Sequence, residues 1–229
     1  MENIDCSKLS TREINVKIKK LVEQEKEILI LNPQARHNLA IGILKSCKIT
    51  FNGSVGYFCA GLCDNVNVLI NGNAGWALGD NLMNGQIICK KNVGASVACS
   101  MRGGEIFVNG NTGARAGISM KGGTLIVKGN AGFLTGFMAQ KGKIIVCGDV
   151  GDACADSMYE TIIYVGGQVG SLGADAKFDN VTIEETKQIQ DKLAQYDITE
   201  KFKWKKIISA KKLYNYDSLE ISEKGNIQV

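Results

Sequence analysis

The sequence has very little proline or histidine and no long apolar run. One proline and one histidine occur among 229 residues. A Ser-His-Asp triad would have to use His37, because no other histidine is present. No stretch approaches the roughly 18 apolar residues of a membrane span. Residues 1–5 have neither a basic region nor an apolar run, so no signal peptide is predicted. We expect a cytoplasmic protein without a membrane partner.

An excess of one charge is also absent. The formal net charge is +4, which is too small to indicate a nucleic-acid or membrane partner. The segment from Lys201 to Lys212 is basic and interleaved with apolar residues, but it contains no arginine and no nucleic-acid-binding motif. We interpret this segment as an amphipathic docking tail, and we expect no nucleic-acid partner.

The eight cysteines do not form a metal-binding or redox pattern. No CxxC motif occurs, and no cysteine pair lies near His37. Several cysteines, such as Cys59 and Cys63, stand at repeat positions that elsewhere hold Val, Leu or Ala. The sequence therefore predicts small buried thiols in a reducing cytosol.

Glycine recurs at intervals of 19 residues without a slip. Three residues before each of these anchor glycines stands another glycine, except at Lys91, and four residues after each stands alanine or glycine. A period of this length, held over seven repeats, is typical of a solenoid. The anchor glycines are Gly56, Gly75, Gly94, Gly113, Gly132, Gly151 and Gly170.

Each repeat also contains a short strand that is rich in β-branched residues and bracketed by glycines, as in residues 105–109. Two positions of each strand, such as Ile106 and Val108, are apolar and two residues apart. Their side chains point the same way, which we assign as inward. Two further inward ladders are expected, namely Cys63, Leu82, Met101, Met120, Ala139 and Met158, and Cys59, Leu78, Val97, Ala116, Thr135 and Cys154.

Apolar ladders on several sides of a 19-residue turn describe a β-helix, in which each coil stacks on the next. The predicted fold class is all-β, a single-stranded right-handed parallel β-helix of about seven 19-residue coils with short N- and C-terminal helices. Residues 1–36 form a helix and strand lead-in, residues 37–182 form the β-helix, and residues 183–229 form a C-terminal helix and the docking tail.

The lead-in and the C-terminal helix have recognisable signals. Ser10 and Glu13 form a capping box at the start of a helix over residues 10–27, and residues 28–31 follow as a strand. A second amphipathic helix is predicted over residues 184–196. An imperfect coil before the first repeat places Ile49 and Phe51 in inward strand positions.

The anchor glycines are expected at sharp corners, because glycine reaches positive φ without steric cost. The residues two places earlier are mostly Asn, which tolerates the left-handed region and whose amide can bond its counterpart one coil away. We therefore predict a ladder of polar side chains along this corner. Its members are Ser54, Asn73, Asn92, Asn111, Asn130, Asp149 and Gln168.

One outward position of each strand is also apolar and forms a continuous stripe on the outside of six coils. A soluble monomer rarely leaves such a stripe exposed. Either the chain's own terminal helix or a partner must cover it, and a homo-oligomer is one form that such a partner could take. The stripe consists of Leu69, Ile88, Phe107, Ile126, Ile145 and Tyr164.

No catalytic, cofactor-binding or metal-binding residues are predicted. The calcium-binding Gly-Gly-x-Gly-x-Asp repeat does not occur, and each glycine cluster is followed by more coil instead of the helix of a phosphate-binding loop. The remaining candidates are aspartates at turn positions, where Asp is favoured for backbone reasons. They are Asp80, Asp149, Asp152, Asp156 and Asp175.

The repeat resembles a known family. The pattern G-x-x-G-x-x-x-G recurs at Gly110, Gly113 and Gly117 and again one coil later. The segments 100–104, 136–142 and 155–160 share the resemblance, which covers about residues 35 to 180. Together they resemble the C-terminal β-helix (GXGXG) domain of the glutamate synthase large subunit.

The resemblance implies a stand-alone form of this domain, one of the three split subunits of the glutamate-synthase-like and N-methylglutamate synthase systems, which residues 202–216 also resemble. It implies a non-catalytic scaffold subunit in glutamate biosynthesis and nitrogen metabolism. The implied partners are a class II glutamine amidotransferase subunit and an FMN-dependent synthase subunit. FMN and an iron–sulfur cluster are expected on those partners, and none in this chain.

Two other functions stay open. A structural subunit of formylmethanofuran dehydrogenase and of formyltransferase/hydrolase complexes uses a similar β-helix. A β-helix enzyme or carbohydrate binder would show a cleft with clustered acids and aromatic residues on one face, whereas the predicted stripe is mainly aliphatic.

Overall fold

The computed structural model describes residues 1–211 and shows two helices attached to one continuous sheet. The sheet contains 11 strands. In chain order the elements are β1 (Glu2–Asp5), α1 (Thr11–Glu23), β2 (Ile28–Leu31), β3 (Cys47–Asn52), β4 (Val66–Ile70), β5 (Gly85–Cys89), β6 (Glu105–Val108), β7 (Lys121–Val127), β8 (Lys141–Val146), β9 (Ile162–Val165), β10 (Ala176–Asp179), α2 (Ile183–Ala194) and β11 (Lys205–Ser209).

The strands from β1 to β9 are neighbours in sequence order, and every neighbouring pair among them is parallel. Ile87 pairs with Ile106 and Ile106 pairs with Leu125, so the register offset is the 19-residue repeat itself. A second column of bridges at another corner has the same offset, for example between Val93 and Thr112. The predicted parallel β-helix of about seven coils with a short helix at each end is confirmed.

The interior is filled by the predicted ladders. Every member of the Cys63 ladder and of the Cys59 ladder is fully buried, as are Ile49 and Phe51 of the imperfect first coil. All eight cysteines are free thiols, and six of them are buried. Full burial of each aliphatic side chain contributes about 1.5–3 kcal/mol relative to exposure, so these ladders are the main stabilising element of the column.

The anchor glycines have a different role from the one expected, because none of the seven has a positive φ. They are needed because adjacent coils approach too closely for a side chain. A Cβ atom on Gly132 would lie 2.7 Å from the Ala114 nitrogen and 2.7 Å from the Gly113 carbonyl carbon. The expectation that these glycines supply left-handed turns is therefore wrong, and their requirement is steric.

The polar ladder at the same corner forms, although with different geometry from the one expected. None of its residues has a positive φ. Except in the last member, Gln168, the side-chain oxygen accepts a hydrogen bond from the backbone N–H of its counterpart one coil later, at 2.8 Å from Asn111 N to Asn92 Oδ1 and from Asn130 N to Asn111 Oδ1. Glycines such as Gly110 are required beside it, since a Cβ there would overlap the Asn92 side chain.

The left-handed residues lie instead at the second, fourth and sixth positions after the anchor. In one coil these are Ser96, Ala98 and Ser100, with φ of 59°, 58° and 51°. Their N–H groups bond to neighbouring coils, for example Ser96 N to Ala114 O at 2.8 Å. The small residue at the fourth position is also explained, because a Cβ on Gly117 would lie 2.5 Å from Ile144 Cδ1.

The two ends of the column contain elements that the sequence patterns did not predict. Strand β1 adds to β2, and α1 begins at the predicted capping box but ends at Glu23, four residues before the predicted end. The helix stops there because Glu25 has a φ of 55°. At the other end, β11 lies antiparallel between β9 and β10. Up to Lys211, the predicted docking tail therefore consists of β11 and the short segments on either side of it. Residues 212–229 lie outside the described residues.

The close approach of the coils can be tested with two glycine substitutions. Gly132→Ala should lower the free energy of unfolding by about 1–3 kcal/mol, because the new methyl group would overlap backbone atoms of the preceding coil. Gly61→Ala is the matched control, since its Cβ would meet nothing closer than 3.4 Å. Denaturant titration followed by circular dichroism measures both. Equal stability of the two variants would contradict the steric explanation.

A second test concerns a buried hydroxyl group. Thr112 faces the interior at a position that holds Val or Ala in the neighbouring coils, and its Oγ1 has no hydrogen-bond partner among residues 1–211. Thr112→Val should therefore raise the free energy of unfolding by about 1 kcal/mol. The control is Thr135→Val. Loss of the 2.9 Å hydrogen bond from Oγ1 to the Gly132 carbonyl should lower the free energy of unfolding of this variant. Thermal melts compare the two variants, and destabilisation by Thr112→Val would refute the prediction.

Candidate functional site

The apolar stripe is covered by the chain's own C-terminal region over most of its length. Phe107, Ile126, Ile145 and Tyr164 are buried in a second apolar cluster, outside the column. Leu69 and Ile88, at the other end of the stripe, are only half-buried. The cluster is completed by Ile189 and Leu193 of α2 and by Ile198 and Trp204 after it.

The sequence of α2 explains why it lies on the stripe. Thr182 and Glu185 form a capping box that begins the helix. Ile189 and Leu193 are four residues apart, so both face the column from one side of the helix. Tyr196 then extends the contact, stacking on Phe107 with ring centroids 3.9 Å apart.

A network of charged groups holds this region against the strands. Lys206 of β11 forms ion pairs with Glu185 at 2.8 Å and with Asp179 at 3.1 Å. The Tyr164 hydroxyl also donates to Glu185, at 2.8 Å. The hydrogen bond from Lys206, followed by that from the Thr182 backbone, lowers the pKa of Glu185 to about 2. Burial, followed by the bond to Glu185, raises the pKa of Tyr164.

A second polar group anchors the end of α2. Lys192 pairs with Glu105 at 2.9 Å, and the Tyr196 hydroxyl donates to the same carboxylate. Gln86 in turn donates to the Tyr196 hydroxyl at 3.0 Å. Beyond this anchor a cleft of about 440 Å³ opens, lined by Ile88, Phe107 and Tyr196 with Lys90 and Lys128. It is the part of the stripe that α2 does not close.

A different face of the column carries exposed aromatic rings. Tyr57 and Trp76, each directly after an anchor glycine, stack at 5.4 Å, and His37 stacks on Tyr57 at 4.3 Å. The sequence-based predictions missed this aromatic ladder, although the 19-residue spacing of Tyr57 and Trp76 signalled it. The rings stack along the column axis, so they do not present their faces as a carbohydrate-binding platform would.

The candidate acids and the histidine have structural partners. His37 Nδ1 accepts from the Tyr57 backbone N–H at 2.9 Å. Asp149 belongs to the polar ladder, Asp156 accepts from Ser157, and Asp175 pairs with Lys211. Within residues 1–211, no group of three or more His, Cys, Asp or Glu residues could hold a metal ion.

In the part of the chain that the structure describes, neither helix has the length and apolar character needed to cross a membrane.

Comparison with known proteins identifies one family. A family model described as GXGXG motif matches residues 12–221, which is most of the chain. No curated protein matches the sequence.

The ion pairs of Glu185 generate a pH prediction. Its pKa is lowered from an ordinary 4.5 to about 2, so its contribution to stability is complete above pH 4.5 and is lost as the pH falls towards about 2. The C-terminal region should loosen in that interval. Trp204, buried under this region, should then shift its fluorescence emission to longer wavelength.

Trp76→Phe removes the signal of the exposed tryptophan and provides the background for this measurement. Glu185→Gln in that background should reduce the transition between pH 4.5 and 2, because Glu185 no longer titrates and only Asp179 remains paired with Lys206. An unchanged transition in Glu185→Gln would show that another group controls the docking of α2.

Proposed function

This chain belongs to the GXGXG motif family, and on that premise we propose that it is a non-catalytic scaffold subunit of a glutamate-synthase-type complex. The family is associated with glutamate synthase. In the proposed cytoplasmic complex, a class II glutamine amidotransferase releases ammonia, and an FMN-dependent, iron–sulfur-containing synthase uses it. This chain, in stand-alone form, holds the two catalytic partners in place and carries no cofactor.

The observation that carries the proposal is the 19-residue register that relates the strands from β3 to β9, with one irregularity between Lys121 and Thr124. Strands β1 to β9 are parallel neighbours throughout, so at about 4.8 Å per strand their eight intervals span roughly 38 Å. Backbone hydrogen bonds connect the coils at several corners as well as in the sheet. Such a column resists bending and fixes the distance between whatever binds to it.

The proposed role needs this rigidity because ammonia must pass from one active site to another. The chemistry belongs to the partners, and the contribution of this chain is relative placement. The surfaces that support partner binding are the face with the aromatic ladder and the open end of the stripe. The rest of the stripe supports α2 and is not available to a partner.

The test is purification of a tagged chain from its native host, with mass spectrometry of the bound proteins and an absorption spectrum of the complex. We expect a class II amidotransferase and a flavin-containing subunit in constant ratio, with glutamine-dependent glutamate formation by the eluate. An unrelated tagged protein from the same host is the control for nonspecific binding.

Other outcomes would overturn the proposal. Recovery of molybdopterin-type or amidohydrolase subunits would favour the formylmethanofuran dehydrogenase or formyltransferase/hydrolase alternative. Recovery of the chain alone, at monomer size and correctly folded, would exclude an obligate subunit.

A further inference from the structure

The sheet ends at a strand that has one open edge among the described residues. Strand β10 is the last in the sheet order, with β11 on one side and no strand of residues 1–211 on the other. Lys177, Phe178 and Asp179 of this strand are all exposed. An open edge is a template for pairing with a further strand, so natural proteins usually cover it or pair it.

The backbone groups of Phe178 point towards this open edge. The Ala210 N–H donates to the Asp175 carbonyl at 2.6 Å, one step before the paired residues Ala176 and Ser209 in the register of β10 and β11. Hydrogen-bonded pairs and pairs without hydrogen bonds alternate along an antiparallel ladder. Because Phe178 is three residues after Asp175, its N–H and its C=O both point away from β11.

The interior of the column is also open at this end. Phe178 pairs with Ile207, and Ile207 pairs with Ile163, so the three side chains form one row on the inward face. Ile163 and Ile207 are fully buried, whereas Phe178 is 53% exposed. Val169 and Leu172, in the last coil, are only partly buried against the core. The column therefore ends in an apolar surface that the described residues do not cover.

The opposite end of the column is closed by the chain itself. Helix α1 buries Ile14, Ile18 and Val22 in the core, and Ile4 of β1 is buried with them. Terminal repeats of solenoids need caps of this kind to stay soluble. No helix of residues 1–211 does the same at the C-terminal end, because α2 lies on the outer stripe.

The sequence of β10 is complementary to itself. If two copies pair antiparallel about a two-fold axis at Phe178, Lys177 of each copy lies opposite Asp179 of the other. These two positions face outward, because side chains alternate along a strand and Phe178 faces inward. Residues of opposite charge attract when they are directly opposed, whereas an in-register parallel pairing would place Lys177 against itself.

The charges around Asp179 support the same arrangement. Lys206 pairs with Asp179 at 3.1 Å and with Glu185 at 2.8 Å, so one ammonium group faces two carboxylates. Lys177 forms no ion pair with another residue of 1–211. The excess negative charge at Asp179 of one copy and the cation at Lys177 of the other are therefore complementary.

We propose that the open edge of β10 binds a second copy of this chain, so that two columns meet end to end in a two-fold symmetric dimer with one continuous sheet. The Phe178 N–H of each copy donates to the Phe178 carbonyl of the other, and the open apolar ends cover each other. A two-fold contact of this kind closes on itself and stops at two copies. The edge of β1 is less suited, because its charged residues, Glu2 and Asp5, are both acidic.

Two charge substitutions test this dimer in the purified full-length chain. Lys177→Glu would place two acidic groups at each of the two symmetric contacts, and Asp179→Lys would place two lysines there. We expect the wild-type chain to sediment as a dimer at micromolar concentration, and each variant to raise the dissociation constant of the dimer by about tenfold or more. Analytical ultracentrifugation over a dilution series measures these constants, and the difference should be smaller at high salt.

A mixture of the two variants separates a lost contact from a lost fold. In the mixed dimer, the introduced glutamate lies opposite the introduced lysine, and the native Asp179 of one copy lies opposite the native Lys177 of the other. The equimolar mixture should therefore recover the dissociation constant of the wild type, which two misfolded chains could not do. Lys143→Glu, at an exposed lysine of β8, is the matched control and should leave dimerisation unchanged.

Circular dichroism and the melting temperature show whether each variant is folded. If Asp179→Lys does not fold, the comparison of Lys177→Glu with Lys143→Glu still decides, because only the first substitution lies at the proposed contact. Equal dissociation constants for the wild type and a folded Lys177→Glu would overturn the inference.

Two results for the wild-type chain would also overturn it. A chain that stays monomeric at micromolar concentration leaves residues 212–229 or another protein as the cover of this end. Oligomers that grow beyond two copies would indicate head-to-tail pairing of β10 with β1. The inference does not rest on the proposed function: a chain that recovers no amidotransferase and no flavin subunit from its host refutes that function, while sedimentation of the purified chain still decides the dimer.

Discussion

The backbone hydrogen bond between coils, at an offset of 19 residues in the repeats, is the interaction on which the rest of the molecule depends. It brings chemically similar residues to the same place in every coil. A residue type that is favoured at one position of the repeat therefore forms a continuous row along the column. The buried ladders, the polar ladder, the apolar stripe and the aromatic ladder are all rows of this kind. Each contributes to stability only because the register is kept through the whole column.

Close stacking of the coils explains the composition. A side chain at an anchor position such as Gly132 would overlap the backbone of the preceding coil, and a Cβ on Gly110 would overlap the Asn92 side chain. The glycines and the Asn ladder are therefore one packing arrangement, in which the absence of a side chain in one row makes room for an amide in the next. The residues with a left-handed backbone lie at other positions of the coil. One of them is Ser96, whose N–H group bonds to the next coil.

Most of the features that the sequence predicted repeat from coil to coil, and several that it missed occur once. Ile106 and Met101 could be placed inside because their counterparts one period away are also apolar. Strands β1, β10 and β11 have no counterpart one period away, so periodicity could not reveal them. The cover over Phe107 and Ile126 stayed undecided for the same reason, since a single amphipathic helix does not indicate its binding surface. The predicted positive φ of the anchor glycines was wrong, because close packing and a positive φ both require glycine and the sequence does not distinguish them.

A column built from identical turns also limits how its size can change. One inserted residue in the strand of a coil would shift the later part of that strand out of register and turn inward side chains outward. A whole inserted or deleted coil, by contrast, restores every row. The length of the column can therefore change only in steps of about 4.8 Å, the height of one coil. Relatives with longer or shorter columns should differ from it by complete 19-residue units.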